Sequence, residues 1–292
     1  MTEVVNHALT LNQLIQEKST CEIIAITSGK GGVGKTFLSI NFAIYLAQLK
    51  KKILLLDADI HLGNVDLFLG LRPRYTVKDV IVGEKEIEDI IIKGPENIDI
   101  IPASDAVKDL ITREKDTLRK FNQAYRRFNP DYDAIIIDTG AGISRTVLAF
   151  LLGADKIIVV VTPDPASITD AYSIMKIVTQ FNPDVPLTLV TNMVRNEEEG
   201  QSLFNKMNLM TERFLQRSIY HGGSILESPI VAESVKKQIA MMLHQPNTAP
   251  MHVVRNLVRK MFRIPMPEVK RKGGLFDRII NLSDLNLGEE DE

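Results

Sequence analysis

The chain has 292 residues, 45% of them apolar and 25% charged, with a mean hydropathy of +0.01, which excludes a disordered or fibrous chain. No run of 18 unbroken apolar residues is present to span a bilayer, and 35 basic against 37 acidic residues leave a net charge of -2, so general nucleic-acid coating is not expected and basic patches have to be local. A lone cysteine, Cys21, rules out an internal disulfide and any Cys-x-x-Cys metal or iron-sulfur site within one chain.

In chain order, residues 1–21 form a leader that is acidic and polar where an export signal needs a basic start and an apolar run, so a cytoplasmic protein is expected. From residue 22 onward, short β-rich apolar runs alternate with helix-length amphipathic segments. That rhythm predicts an α/β fold, doubly wound, with a mostly parallel sheet and helices on both faces. Strands are expected at 22–27, 53–57, 98–102, 134–138, 156–162 and 187–192, with a weaker one at 219–225. Helices are expected at 36–49, 113–128, 144–152, 167–181, 202–215, 231–243 and 251–262. The domain is therefore expected to span 22–263. Residues 264–292 would follow as a Pro- and Lys/Arg-rich linker, a short amphipathic helix and an acidic tail.

The first strand runs into Ser28-Gly29-Lys30-Gly31-Gly32-Val33-Gly34-Lys35-Thr36 and then into a helix, which satisfies G-x-x-x-x-G-K-[ST] in its required strand-loop-helix setting. The chemistry calls for these residue types. Glycines at 29, 31, 32 and 34 let successive backbone N–H groups, with those of Val33 and Phe37, wrap phosphates at a helix N-terminus. Lys35 reaches the β/γ oxygens of ATP, and the Thr36 hydroxyl ligates Mg²⁺.

The second loop lysine, Lys30 in K-G-G-x-G-K-[ST], gives a resemblance to the ParA/MinD family of deviant Walker A P-loop ATPases. The resemblance implies an ATP-dependent homodimer in which Lys30 acts on the nucleotide of the other subunit. The strand end Asp57-Ala58-Asp59, followed by Leu62-Gly63-Asn64-Val65-Asp66, is similar to that family's switch I. By that match Asp59 orients the attacking water and Asp57 holds the Mg²⁺ shell. Ala134-Ile135-Ile136-Ile137-Asp138-Thr139-Gly140-Ala141-Gly142 suits a Walker B strand and switch II, with Asp138 on magnesium-bound water and Gly140 and Gly142 letting the turn follow the γ-phosphate. Asn192 resembles the family's adenine-reading asparagine. Lys30, Lys35, Asp59 and Asp138 thus form the expected catalytic set.

Within the family, cluster-binding branches need paired cysteines, and the tyrosine-kinase branch carries a tail of tyrosines, whereas none follows Tyr220 here. The runs 138–144, 165–172 and 192–200 are similar to the flagellar number- and site-determining branch, FlhG/FleN. That likeness implies an FlhF-type signal-recognition GTPase and flagellar switch or regulator proteins as partners. Two positions depart from the pattern: Ile225-Leu226 stands where Ile-Pro is usual, and Asn12-Gln13-Leu14-Ile15 lacks the acidic residue of the partner-binding leader motif. Division-site positioning of the MinD type and DNA segregation of the ParA type are the alternatives. The latter would use a basic face from Lys236, Lys237, Arg255, Arg259, Lys260 and Arg263.

In the tail, Leu275, Phe276, Ile279 and Ile280 share one helix face behind Lys270-Arg271-Lys272. This resembles a membrane-targeting helix that grips an anionic surface through 270–282 when a dimer presents two copies, giving peripheral inner-membrane association in the ATP state. The other reading is a helix docked on its own domain.

Overall fold

A computed structural model describes residues 21–59, 65–104, 123–124, 127–128 and 131–264. The leader 1–20, the switch I residues 60–64, the linker from 265 and the whole tail lie outside the described residues, as does most of the expected helix 113–128.

The sheet has eight strands: β1 (Glu22–Ser28), β2 (Ile53–Ala58), β3 (Ile92–Lys93), β4 (Asp99–Ile101), β5 (Ala134–Ala141), β6 (Lys156–Val161), β7 (Leu187–Val194) and β8 (Tyr220–Leu226), in the order β3-β4-β2-β5-β1-β6-β7-β8. All neighbours pair in parallel except β3 with β4, which is antiparallel. The central strands are continuous Ile/Val/Leu runs because both faces are covered. On one face, β1 side chains Ile23 and Ala25 pack with α5 (Arg145–Leu152), α6 (Pro165–Phe181) and α7 (Glu197–Leu215). On the other, Ile24 and Ile26 pack with α1 (Lys35–Gln48), α9 (Met241–His244) and α10 (Ala249–Met261). Helix α1 is buried on nearly every side, with Phe42 fully enclosed, so it is held as a rigid continuation of the β1 loop.

Short elements α2 (Val65–Phe68), α3 (Val77–Ile81), α4 (Ile87–Ile90) and the two-residue β3 fill the region between β2 and β4, where no element is expected from sequence. Their lengths explain this, since two to five residues carry too little periodicity to read. Helix α7 begins five residues ahead of the expected start. Asn196 Oδ1 accepts from Glu199 N at 2.8 Å as its cap, and Glu197–Glu199 suit a helix N-terminus. The discouraging residue inside that turn, Gly200, is a packing requirement, because a Cβ there would overlap Ser224 Oγ. The expected helix 231–243 is two helices, α8 (Pro229–Lys236) and α9, broken at Gln238, whose φ of 56° is left-handed. Buried Asn41 on α1 receives the Met242 N–H at 2.8 Å and so pins α9 to the loop helix.

Candidate nucleotide site

The carboxyl ends of β2, β5 and β1 lie side by side, with Asp57 opposite Asp138 and Asp138 opposite Ile26. Open α/β sheets bind ligands at this edge, where the chain's order reverses. The loop 29–34 leaves β1 here and enters α1 through Gly34, whose φ of 95° needs glycine and whose Cβ would overlap Asn192 Nδ2. No side chain caps α1 and no acidic residue stands in its first turn, so its leading N–H groups and positive end are available to an anion. Gly32 is also left-handed, at 76°, while Gly29 is packed so tightly that a Cβ would overlap Asp170 on α6. Gly31 has open space around it, so nothing in the protein itself demands glycine there.

Lys35 is buried, and its Nζ donates to Ser28 Oγ at 3.0 Å. Burial pulls its pKa down, and Asp138 and Asp59 oppose that shift. Ser28 Oγ in turn donates to the Lys30 carbonyl at 2.6 Å, which ties the loop to the lysine's resting place. Thr36 Oγ1 donates to Asp138 Oδ2 at 2.7 Å, and Ser39 Oγ lies 2.8 Å from Asp138 Oδ1 and 3.0 Å from the Lys35 carbonyl. The Phe37 side chain is in the core, which leaves only its backbone to face a ligand. Val33 is likewise buried, and its carbonyl accepts from Asn192 Nδ2 at 2.7 Å. Asn192 Oδ1 takes the Met193 N–H, so this amide grips the phosphate loop from the far strand.

Asp57 is fully buried and accepts from Asp59 N and Val65 N, both at 3.1 Å, so one carboxylate holds the end of β2 and the start of α2. Burial first, then Asp138, raises its pKa to about 7 despite those two amides. Burial likewise raises Asp138 to about 6, with Thr36, Ser39 and Lys35 holding it down. Asp59 lies against Gly140, where a Cβ would come 3.4 Å from Asp59 Oδ1. Gly140 therefore sits within strand β5 as the floor beneath Asp59, rather than in the turn where it is expected. The turn glycine is Gly142, left-handed at 86°, whose N–H donates to Ser28 O at 3.0 Å and ties the turn after β5 to the end of β1.

Among the described residues, no three carboxylate, imidazole or thiol groups converge closely enough to hold a metal alone. The Thr36 hydroxyl and, on adjacent strand ends, the carboxylate oxygens of Asp57 and Asp138 are hard donors, a set that fits Mg²⁺, which otherwise keeps water and phosphate ligands. The raised carboxylates fit it too, since a dication beside Asp57 and Asp138 relieves the repulsion between them.

Lys30 finds its partner outside the loop. Its Nζ pairs with Asp164 Oδ2 at 2.9 Å, while Asp164 Oδ1 caps α6 through the Ala166 and Ser167 N–H groups. The Lys30 ammonium, with those amides, holds the Asp164 carboxyl below the usual carboxylate range. Asp164 and Ser39 are the site residues that sequence reading misses. Ser39 sits one turn after Thr36 on α1 and is legible from helical spacing, whereas the Lys30 contact spans 134 residues and leaves no local trace.

A family model described as an AAA domain matches residues 21–189. The chain is 35% identical over 246 residues to the antiactivator FleN of Pseudomonas aeruginosa, covering 84% of this chain and 88% of that protein. It is 32% identical to the flagellum site-determining protein YlxH of Helicobacter pylori, covering 79% and 78%. Among solved structures, the MinD cell division protein of Aquifex aeolicus superimposes with a TM-score of 0.67 at 27% identity, covering 85% of this chain and 99% of that one. The phosphate loop, the two acidic strand ends and these likenesses agree: the chain belongs to the ParA/MinD family of P-loop ATPases, and its sequence is FleN-like within that family.

Proposed function

We infer that this ATPase is a nucleotide-controlled switch regulating flagellar number or placement, with ATP-bound copies pairing and ADP-bound copies separating. The observation that carries the reading is the convergence of an uncapped helix N-terminus with Lys35, Thr36, Asp57, Asp59 and Asp138 on adjacent strand ends. In the reaction, a water oxygen bonds to the γ-phosphorus as the bond to the β–γ bridging oxygen breaks, giving ADP and phosphate. Lys35 leaves Ser28 for the β/γ oxygens. Asp59, on its Gly140 floor, orients the water. Thr36, with Asp57 and Asp138 through bound water, would hold Mg²⁺, which neutralises charge on the phosphate oxygens. Lys30, half-exposed at the mouth of the site, releases Asp164 and serves the partner copy's nucleotide.

The likeness to FleN and YlxH supports the flagellar role, and with it an FlhF-type GTPase and flagellar regulators as partners. The domain arrangement is a leader at 1–21, the ATPase at 22–263 and a targeting tail at 264–292. Association with an anionic membrane surface through 270–282 rests on the amphipathic pattern of Leu275, Phe276, Ile279 and Ile280. The DNA-binding alternative is weakened by what its basic residues already do. Arg259 donates to Tyr45 OH at 2.7 Å, Arg255 reaches the Pro246 carbonyl, and Lys237 pairs with Glu233.

Co-sedimentation with anionic vesicles tests the switch, using Asp59→Ala to hold the ATP state and a chain ending at Met266 as control. Pelleting with ATP that requires the tail supports a membrane switch. No pelleting in either nucleotide state refutes the membrane arm, and ATP-dependent, steeply salt-sensitive DNA binding moves the protein to the segregation reading.

A further inference from the structure

Asp138 is fully enclosed, yet it receives two hydroxyls from one helix: Thr36 Oγ1 on Oδ2 at 2.7 Å and Ser39 Oγ on Oδ1 at 2.8 Å. Ser39 is itself fully buried, one turn farther from the helix N-terminus than Thr36, and flanked by the core side chains Leu38 and Ile40. It is therefore placed behind the carboxylate, away from the phosphate loop. Its single proton has two acceptors in range, the Lys35 carbonyl at 3.0 Å and Asp138 Oδ1. A charged acceptor makes the shorter and stronger bond, which matches the distances.

We propose that Ser39 is a positioning residue for the Mg²⁺-binding carboxylate: it pins Asp138 Oδ1 so that Oδ2, beside Thr36, is the oxygen presented to the cation's hydration shell. This rests on the nucleotide-site reading above. With Oδ1 released, the carboxylate can rotate and divide its charge between two orientations, and the outer shell of the ion loses a fixed acceptor. Nucleotide contacts made by the loop N–H groups and Lys35 do not depend on it.

The test uses the full chain and a fluorescent N-methylanthraniloyl ADP, measuring its affinity in EDTA and then the Mg²⁺ concentration at half-saturation. Ser39→Ala is expected to raise the Mg²⁺ half-saturation about tenfold, the size of one hydrogen bond to a charged acceptor, while the affinity in EDTA stays within about twofold. Ser39→Thr, which restores a hydroxyl at the same carbon, is expected to return the Mg²⁺ dependence to that of the parent. An unchanged Mg²⁺ half-saturation in Ser39→Ala overturns the proposal. A parallel loss of EDTA affinity also overturns it, because it marks a packing role. A parent protein that binds no ADP with Mg²⁺ present overturns the site reading itself, and the proposal with it.

Discussion

Replacing Asp57 by asparagine removes the most perturbed carboxylate of the site, and its effect is readable as a change in how stability varies with pH. In the ligand-free protein the pKa of Asp57 is raised to about 7 by burial, against an ordinary value near 3.8. A raised carboxyl binds more protons folded than unfolded between those values. Stability therefore falls as pH rises through that window, and the loss is complete above the folded pKa. Between pH 5 and pH 8 the linkage amounts to about 2.5 kcal/mol for Asp57 alone, and about 1.5 kcal/mol for Asp138 at its raised value near 6. The two carboxylates repel one another, so their joint effect is smaller than the sum. In the Asp57→Asn protein the new amide keeps one acceptor for the Asp59 and Val65 N–H groups and turns an NH₂ toward the other, a cost of about 1–3 kcal/mol that is nearly independent of pH. Urea unfolding of both proteins from pH 5 to pH 8 separates the two effects. The parent is expected to lose stability across the range relative to Asp57→Asn, so that the difference between them narrows or reverses toward pH 8. Taking the difference also cancels other groups such as His221, whose lowered pKa acts in the opposite sense. Parallel pH profiles for the two proteins would overturn this account, because they would mean that Asp57 is ionised throughout. Adding Mg²⁺ and ADP should flatten the parent's profile, since a bound cation holds both carboxylates ionised.

Lys35→Ala should lower ATP affinity at least tenfold by calorimetry while the domain stays folded, because the ammonium is a buried charge held at this site by its hydrogen bond to Ser28 Oγ. Gly34→Ala combines a left-handed φ of 95° with overlap against Asn192, and should cost about 2–4 kcal/mol in urea unfolding as well as loosening the loop; a loss below about 0.5 kcal/mol would contradict that packing. Lys30→Ala should leave monomer stability within about 1 kcal/mol, since its pair with Asp164 is half-exposed, yet abolish ATP-dependent pairing by light scattering. Normal pairing by that variant would remove its assignment to the partner's nucleotide. Asp59→Ala should bind ATP with near-parental affinity and hydrolyse it about a hundredfold more slowly, as followed by phosphate release.

The nucleotide loop was legible because its chemistry is local. Gly29 to Thr36 are consecutive, and a glycine-rich run that ends in Lys35 and Thr36 is what wrapping backbone N–H groups around a phosphate requires. The strands were legible because fully buried parallel strands require unbroken apolar runs, so an acidic residue that ends such a run, Asp57 or Asp138, stands out near the strand's carboxyl edge, even though β5 itself continues to Ala141. What the linear pattern could not carry was any contact between distant segments. Strand order buries Asp57 and Asp138 side by side, and that burial raises both pKa values, with Asp138 adding to the rise at Asp57, while β5 brings Gly140 against Asp59. The ion pair of Lys30 with Asp164 joins residues whose neighbours in the chain say nothing of each other. The same limit explains Gly200 and Gln238, where close packing against Ser224 and a left-handed break override local helix preference. The linear chain specifies which groups the site contains; their ionisation and their hydrogen-bond partners follow from burial and from neighbours that only the folded sheet brings together.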